Sequence, residues 1–505
     1  MNSRRIRTKL ALGAVLGLAV AGTALAAATD TGSSTTTDPY VVPVADGVKV
    51  TSLLTVKTAT DSGEASNGYP MVGIPDGLGA TDGPHGRDFT LFMNHELPAN
   101  RGVPRRHGVA GAFVSEWRID SHSLEVEEGH DLIDPGVRYW NYATRRYSDA
   151  ATAGQAAEFA RFCSSFLSEP GQLHNRKTDR GYEGQIYFGN EENGDGGRAF
   201  GVTTDGQAQQ LPRLGLFSWE NSLVGLGEGD TTYVHGQEDG ASGQIHVYVG
   251  HKLRRGNAFD QAGLTNGHQF VVDLQNEAVS TDAQFRATYG KNNPAPFDLG
   301  SDEEVNWDQP SGAVQNTEAA ARGVSLNRIE DGAFDPRHPE DFYFVTTEGG
   351  NGATAARDGG GLWRLSYEDV ERPWEGGTLT LLLDGSEAPL LSKPDNMGFD
   401  TRGHLLIQED PGGNPHLARI VAYDVKSGDR AVLAQFDPAR FAPGAPGFIT
   451  ADEESSGIID ASRFLGKGSF LFDAQVHNGH PDADKVEMGQ LMTLQVRDWK
   501  KVFDE

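Results

Sequence analysis

The chain has 505 residues, a formal net charge of −28 at pH 7, and 64 glycines. A surface this acidic repels phosphate backbones and anionic lipid headgroups, so we expect no nucleic-acid partner and no anionic-membrane partner. Its one cysteine, Cys163, excludes an internal disulfide. An exported form must therefore be stabilised by core packing.

The first 26 residues have the three-part pattern of a secretory signal peptide. A basic stretch with Arg4 and Arg5 precedes an apolar run over 10–24, and Ala24-Leu25-Ala26 is a small-residue cleavage site. The arginine pair also resembles a twin-arginine signal, which leaves the export route open. No later apolar run reaches the ~20 residues of a membrane span. We predict a soluble protein that is secreted to the periplasm or the extracellular space.

Residues 27–38 are predicted to be a polar linker, because they contain too few apolar side chains to fold. No Pro/Ser-rich segment interrupts the later chain, so residues 39–505 are predicted to form a single domain. Helical patterns are scarce. The polar stretch 254–323 reads as a loop-like insertion over one face.

A repeated unit organises the domain, and its clearest copy covers 325–350 together with the strand that follows. A polar cluster with Arg328, Glu330 and Asp331 leads into a small-residue strand, a turn rich in Asp and Pro, and an aromatic strand that ends on Glu348. Residues 361–367 then alternate apolar and polar side chains, as a half-buried strand does.

The unit recurs in six copies, and a strand unit that cannot bury its own faces is typical of one propeller blade. We therefore predict an all-β protein, a six-bladed β-propeller with loop and short helical insertions. The first strand of each blade lines the channel, so the polar clusters at its start are expected to converge on one mouth. These residues are Asp76, Cys163, Glu220, Arg328, Glu330, Asp395, Asn396, Glu453 and Glu454.

Carboxylates aimed at one mouth cannot all ionise unless cations compensate them. Oxygen ligands of this kind suit calcium. Further acidic runs are Glu191-Glu192, Glu238-Asp239, Glu409-Asp410 and Asp452-Glu453-Glu454. No calcium-loop spacing names individual ligands, and an acidic surface that only confers solubility remains an alternative.

Cys163 has two interpretations. A lone cysteine in an exported protein is commonly a buried, inert thiol. At the start of a channel-lining strand, equivalent to Glu220 and Glu330, it is also placed to be a metal ligand.

Several short motifs recur at the blade ends: Met93-Asn94-His95-Glu96, Cys163, Glu191-Glu192, Leu216-Phe217-Ser218-Trp219-Glu220, Arg328-Ile329-Glu330-Asp331, Pro394-Asp395-Asn396, and Asp452-Glu453-Glu454-Ser455-Ser456-Gly457. Together they resemble the motifs of the PhoX-type alkaline phosphatases. The resemblance implies a six-bladed propeller that hydrolyses phosphate monoesters with iron and calcium at the channel mouth. It also implies that Cys163, Glu220 and Glu330 are metal ligands and that Arg328 binds phosphate.

Two other functions remain open from the residues alone. A calcium-dependent propeller lactonase or esterase needs only Glu330, Asp395 and Asn396 around one ion. A non-catalytic, calcium-stabilised propeller explains the acidity and the repeats. Bound iron distinguishes the phosphatase from both. For the phosphatase we expect a small phosphorylated substrate and a monomeric protein.

Overall fold

The structure is a computed structural model that describes residues 27–299, 305–347, 360–410 and 416–503. The predicted signal peptide, 1–26, and Glu348 lie outside the described residues. Six sheets, built mainly of antiparallel strands, follow one another along the described chain, and we number them blades one to six.

The strands of the first two blades are preceded by three N-terminal strands. The N-terminal strands are β1 (Ala28–Thr31), β2 (Val41–Pro43) and β3 (Val48–Thr55). Blade one contains β4 (Pro75–Asp82), β5 (Asp88–His95), β6 (Phe113–Asp120) and β7 (Val126–Asp131). A hairpin follows, with β8 (Tyr139–Asn141) and β9 (Arg146–Ser148). Blade two and its side hairpin contain β10 (Phe162–Leu167), β11 (His174–Asn175), β12 (Arg180–Gly181), β13 (Ile186–Glu191), β14 (Ala199–Thr203) and β15 (Ala208–Gln210).

Blades three and four are built from the middle of the chain. Blade three contains β16 (Trp219–Val224), β17 (Thr231–Glu238), β18 (Ile245–His251) and β19 (His268–Val271). Blade four contains β20 (Asp273–Leu274), β21 (Ala295–Asp298), β22 (Ile329–Asp335), β23 (His338–Thr346), β24 (Gly361–Tyr367) and β25 (Gly377–Leu383).

The last two blades and the short helices complete the described chain. Blade five contains β26 (Pro394–Phe399), β27 (His404–Glu409), β28 (Arg419–Asp424) and β29 (Arg430–Phe436), with β2 at its outer edge. Blade six contains β30 (Glu453–Asp460), β31 (Ser469–Gly479) and β32 (Glu487–Val496), with β3 and β1 at its outer edge. The helices are α1 (Ala150–Ala153), α2 (Ala258–Gln261), α3 (Asp282–Thr288), α4 (Gly312–Ala320), α5 (Pro438–Phe441), α6 (Ser462–Leu465) and α7 (Trp499–Val502).

The first strands of the six blades form a closed ring. Each of β4, β10, β16, β22, β26 and β30 contacts the first strand of the next blade, and β30 contacts β4. Chain ends from both termini close the ring, because β3 pairs antiparallel with β32, with Val50 opposite Leu494. The prediction of a six-bladed propeller is confirmed.

The apolar core lies between neighbouring blades. Phe92 of blade one packs against Tyr187 of blade two, and Tyr343 of blade four packs against Phe399 of blade five. Each fully buried aromatic or aliphatic side chain contributes about 1.5–3 kcal/mol. Packing of this kind has to stabilise the fold, since its single cysteine is a free thiol.

The prediction of a polar linker over 27–38 is wrong. Strand β1 pairs parallel with β3, with Ala28 opposite Lys49, and Thr35 is buried and donates a hydrogen bond to Asp61. A polar segment can cover a sheet edge because the pairing uses backbone groups, not apolar side chains.

The stretch 254–323 is also more ordered than a loop-like insertion. It supplies β19, the outer strand of blade three, and β20 and β21, the outer strands of blade four. It also contains α2, α3 and α4. Outer strands are short and half-exposed, so their apolar alternation is too weak to mark them in the sequence.

Candidate functional site

A β-bulge occurs at the same place in five blades. In blade one, Pro75 pairs with His95 and Leu78 pairs with Met93, so Asp76 and Gly77 together oppose Asn94. Blades two to five shift register at the equivalent point. The first bulge residues are Asp76, Cys163, Glu220, Glu330 and Asp395. Bulges redirect side chains, and these five point to one end of the ring, as predicted.

In four blades, the residue two positions before the first bulge residue has a left-handed backbone conformation. These residues are Ile74, Arg161, Arg328 and Lys393, with φ of 51°, 50°, 50° and 49°. For a residue with a side chain this conformation costs roughly 1–2 kcal/mol. Such strain is concentrated at functional sites.

Nine ligand-type side chains form a continuous group at this end, which we call the mouth cluster. Its four overlapping sets are Asp76, Glu96 and Cys163; Cys163, Glu192 and Glu220; Glu220, Glu330 and Asp395; and Asp395, Asp410 and Glu454. Within each set the ligand atoms lie within 4.8 Å of one another. Because neighbouring sets share a member, the mouth cluster links all six blades.

Three members of the mouth cluster come from the ends of second strands and were not predicted individually. They are Glu96, Glu192 and Asp410. The acid just before two of them faces the other way: Glu191 binds Arg198 at 2.6 Å, and Glu409 binds Arg419 at 2.6 Å. Alternation along a strand explains this division. The second acid of each pair is the sequence signal that would have identified them.

Glu453 is not in the mouth cluster, which corrects its placement among the predicted site residues. Its Oε1 accepts a hydrogen bond from the backbone N–H of Ala418, 3.4 Å away in blade five. Glu454, one residue later, reaches Asp395 and Asp410 instead. Adjacent residues of a strand face opposite sides, so only one of the two can reach the mouth.

Asn396 lies next to the mouth cluster, behind Asp395. Its Nδ2 donates to the Oγ of Ser164, and Ser164 in turn donates to Oε1 of Glu220 at 2.6 Å. The Oδ1 of Asn396 is buried without a hydrogen-bond partner among the described residues. Asn396 therefore connects blades five and two beneath the carboxylates.

Cys163 lies between two carboxylates. Its Sγ is 3.2 Å from Oε2 of Glu220 and 3.6 Å from Oδ2 of Asp76. Burial, and next the charges of Asp76 and Glu220, raise the pKa of the thiol well above its usual value. The thiol therefore lies among carboxylates, and its role as a metal ligand stays a prediction.

Arg328 lies beside Glu330, just before β22. Its Nη2 is 3.1 Å from Oε1 of Glu330. The Nε and Nη2 atoms also donate to both carboxylate oxygens of Asp239, at 2.8 and 2.9 Å. The guanidinium plane is thus fixed at the mouth by a two-bond fork.

Two further cations occupy the equivalent positions of blades two and five. Nη2 of Arg161 is 2.7 Å from Oε1 of Glu96 and also contacts Glu192. Lys393 is buried, and its charge acts on Asp410. The mouth cluster is therefore bordered by three positive side chains.

The carboxylates of the mouth cluster strongly disfavour one another's charge. Burial, and then neighbouring carboxylates, raise the pKa values of Asp76, Glu220, Glu330 and Asp395 well above the usual range. Burial and carboxylate neighbours also raise the pKa of Glu192 to about 8. Bound cations reverse such shifts, so this donor set fits hard metal ions, with one thiol suited to a softer one.

Residues 201–440 match the protein-family model of alkaline phosphatase PhoX. The resemblance to the PhoX family is confirmed. The matched segment contains Arg328 and four members of the mouth cluster, which are Glu220, Glu330, Asp395 and Asp410. Cys163 and the mouth-cluster residues Asp76, Glu96, Glu192 and Glu454 lie outside it.

Comparison with the solved structures finds one chain with a similar fold and others with weaker likeness. The PhoX of Pseudomonas fluorescens in complex with vanadate, a transition state analogue, has a TM-score of 0.63 at 13% identity, covering 90% of this chain and 96% of that chain. A Dyadobacter fermentans protein of unknown function has a TM-score of 0.37 at 9% identity, covering 89% and 100%. A putative 6-phosphogluconolactonase from Bacteroides uniformis has 0.31 at 11%, covering 81% and 82%. No curated protein matches the sequence.

Proposed function

We propose that this chain is an exported, metal-dependent phosphoric monoester hydrolase of the PhoX type, with its active site at the propeller mouth. The observation that carries the proposal is the mouth cluster: nine ligand-type side chains from six blades, bordered by cations, in a chain whose residues 201–440 match PhoX. The vanadate complex of the Pseudomonas fluorescens protein concerns a chain with the same fold.

The donor set divides into a thiol-containing half and an all-oxygen half. Around Cys163, the carboxylates of Asp76, Glu96, Glu192 and Glu220 would hold iron. The second half has only carboxylate oxygens, from Glu330, Asp395, Asp410 and Glu454, and would hold calcium. When bound, such ions act as Lewis acids that neutralise phosphoryl oxygens.

The chain's own cations then orient the substrate. Arg328 is about one-third exposed, so a phosphoryl group at the mouth can reach it. Asp239 holds its guanidinium in a fixed plane through Nε and Nη2, which leaves the two N–H groups of Nη1 to meet phosphoryl oxygens. Arg161 and Lys393 add positive charge on the other sides of the mouth.

A small phosphoester suits this site better than a macromolecule. The net charge of −28 opposes nucleic acid, while the cationic border is confined to the mouth. Within the described residues, no helix combines the length and apolarity of a membrane span. We propose export through the predicted signal peptide and a monomeric state.

The proposal is tested by measuring metal content in a matched pair of variants. Glu220→Gln removes a shared member of two sets in the mouth cluster. Glu238→Gln, on the adjacent strand, removes a carboxylate that accepts a hydrogen bond from the backbone of Gln244. We expect purified wild type and E238Q to contain iron and calcium, and E220Q to lose iron and phosphatase activity.

The same measurement separates the alternatives. A lactonase or esterase centred on Glu330, Asp395 and Asn396 would contain calcium without iron and would hydrolyse lactones or carboxylic esters. A non-catalytic propeller would hydrolyse neither class of substrate. Either result in the wild-type protein contradicts the phosphatase proposal.

A further inference from the structure

Asp473 is a buried acid outside the mouth cluster. It lies in the middle of β31 with no solvent exposure, and neither carboxylate oxygen has a hydrogen-bond partner among the described residues. A bare carboxylate in such surroundings is strongly destabilising unless it is paired with a positive charge or neutralised. The proposed phosphatase chemistry does not use this residue.

The other blades carry no acid at this position. Strand register makes Asp473 equivalent to Phe92, Phe188, His235, Tyr343 and Leu406, each three residues before the paired end of its second strand. In blades one and four this side chain packs on an aromatic residue of the next blade. Asp473 thus replaces an apolar contact at the seam between blade six and blade one.

Other oxygens without partners lie on the same seam. Oδ1 of Asp76 and Oε1 of Gln475 are buried and have no hydrogen-bond partner among the described residues. Gln475 lies on the same face of β31 as Asp473, and its Nε2 donates to Oδ2 of Asp76 at 2.7 Å. Amide and carboxylate oxygens from both blades therefore line one buried wall.

The seam also brings a backbone carbonyl close to Asp473. A Cβ atom built on Gly457 would lie 2.7 Å from the carbonyl oxygen of Asp76 and 3.1 Å from Oδ2 of Asp473. The carbonyl oxygen of Asp76 and the carboxylate of Asp473 therefore both lie close to Gly457. The atoms at the seam that we consider as metal ligands are all oxygens, and calcium prefers oxygen ligands.

Neither oxygen of Asp473 accepts a hydrogen bond from the described residues, so the carboxylate has to be neutralised by a proton or by a bound cation. The calcium measurements below separate these two possibilities. The charged groups that interact with Asp473 are the carboxylates of Glu454 and Asp76. A cation bound between them would offset this repulsion.

We propose that Asp473, with Asp76 and Gln475, binds a calcium ion at the seam between blades six and one, next to the mouth cluster, with which it shares Asp76. The ion links the last blade to the first and so closes the propeller. Its role is structural, and it does not depend on which reaction the mouth performs.

Calcium content and thermal stability of Asp473→Leu test this proposal. Leucine is the residue that blade five carries at the equivalent position, Leu406. We expect D473L to bind one calcium ion fewer per chain, to retain its iron, and to gain less in Tm from added calcium. An unchanged calcium count with a Tm above that of wild type would overturn the proposal, because Asp473 would then be a neutral buried acid.

Asp473→Asn keeps the shape of the side chain if the leucine variant does not fold. The amide weakens calcium binding, so the calcium concentration for half-maximal stabilisation should rise about tenfold or more. This corresponds to a loss of about 1.4 kcal/mol in the free energy of calcium binding. No change in that concentration would contradict the proposal.

Asp61→Asn is the control. Asp61 is also buried, but its carboxylate accepts hydrogen bonds from the N–H groups of Thr36 and Gly63 and from the hydroxyl of Thr35. D61N should lower the Tm and leave the calcium count unchanged. If D61N also lost calcium, the loss in D473L would reflect general destabilisation, and the proposal would fail.

Discussion

The sulfur of Cys163 lies 3.2 Å from Oε2 of Glu220, so residues from the first strands of two neighbouring blades meet at the mouth. Cys163 belongs to two overlapping sets of the mouth cluster, and Glu220 belongs to the next set as well. An inert buried cysteine is normally surrounded by apolar groups. This one is surrounded by carboxylates, and the first prediction follows from that contact.

Cys163→Ser should lose most of its bound iron and about tenfold or more in phosphatase activity, a change of at least ~1.4 kcal/mol in the barrier. The hydroxyl is a harder and much less acidic donor than the thiol, so it suits iron less well. Iron and calcium are measured per chain in the same samples. Wild-type iron and activity in both C163S and Cys163→Ala would show that the thiol is inert.

Arg328→Lys should lower kcat about a hundredfold, or on the order of 3 kcal/mol, with metal content unchanged. Lysine keeps the charge but cannot bind Asp239 through a two-bond fork and also present a further pair of N–H groups to phosphoryl oxygens. Arg337→Lys, beside Asp335 at the far end of β22, is the control and should keep wild-type activity. If R328K keeps more than about half of the activity, Arg328 only balances the acidic mouth.

Removing calcium should lower the Tm, because the carboxylates of the mouth cluster repel one another without cations. Stability should then rise with free calcium, by about 2.7 kcal/mol at a concentration 100 times the Kd. Thermal unfolding is followed in chelator and across a calcium titration, with magnesium as the control ion. Identical Tm values in chelator and in calcium would make the acidity a surface property only.

Gly457→Ala should destabilise the protein by about 2–4 kcal/mol. Gly457 has φ of 64°, and an added Cβ would lie 2.7 Å from the carbonyl oxygen of Asp76. Left-handed strain and overpacking each cost roughly 1–3 kcal/mol. Gly428→Ala is the matched control: its φ is 79°, but its added Cβ meets no atom within 4 Å. Equal losses of stability in the two variants would mean that the contact with blade one has no effect.

The repeated strand pattern was sufficient to predict the propeller. The turn between Asp335 and His338 and the aromatic strand after it occur where the sequence places them. Alternation and turn residues are local signals, so they survive in any fold that buries the blade faces. The outer strands β19, β20 and β21 lack those signals and were not predicted.

The site was predictable in part for a related reason. Asp76, Cys163, Glu220, Glu330 and Asp395 share a position at the start of a channel-lining strand, which repetition reveals. The choice of Glu454 over Glu453 depends on strand register, and a shift of one residue reverses the face. Register is fixed by pairing with β31, which the residues of β30 alone do not determine.

The most direct test of the central claim is hydrolysis of p-nitrophenyl phosphate by the purified full-length protein, measured before chelation, after chelation, and after return of iron and calcium. We predict activity in the untreated protein, its loss on chelation, and its recovery only when both metals are supplied. No hydrolysis by a folded protein that contains iron and calcium would contradict the assignment as a PhoX-type phosphatase.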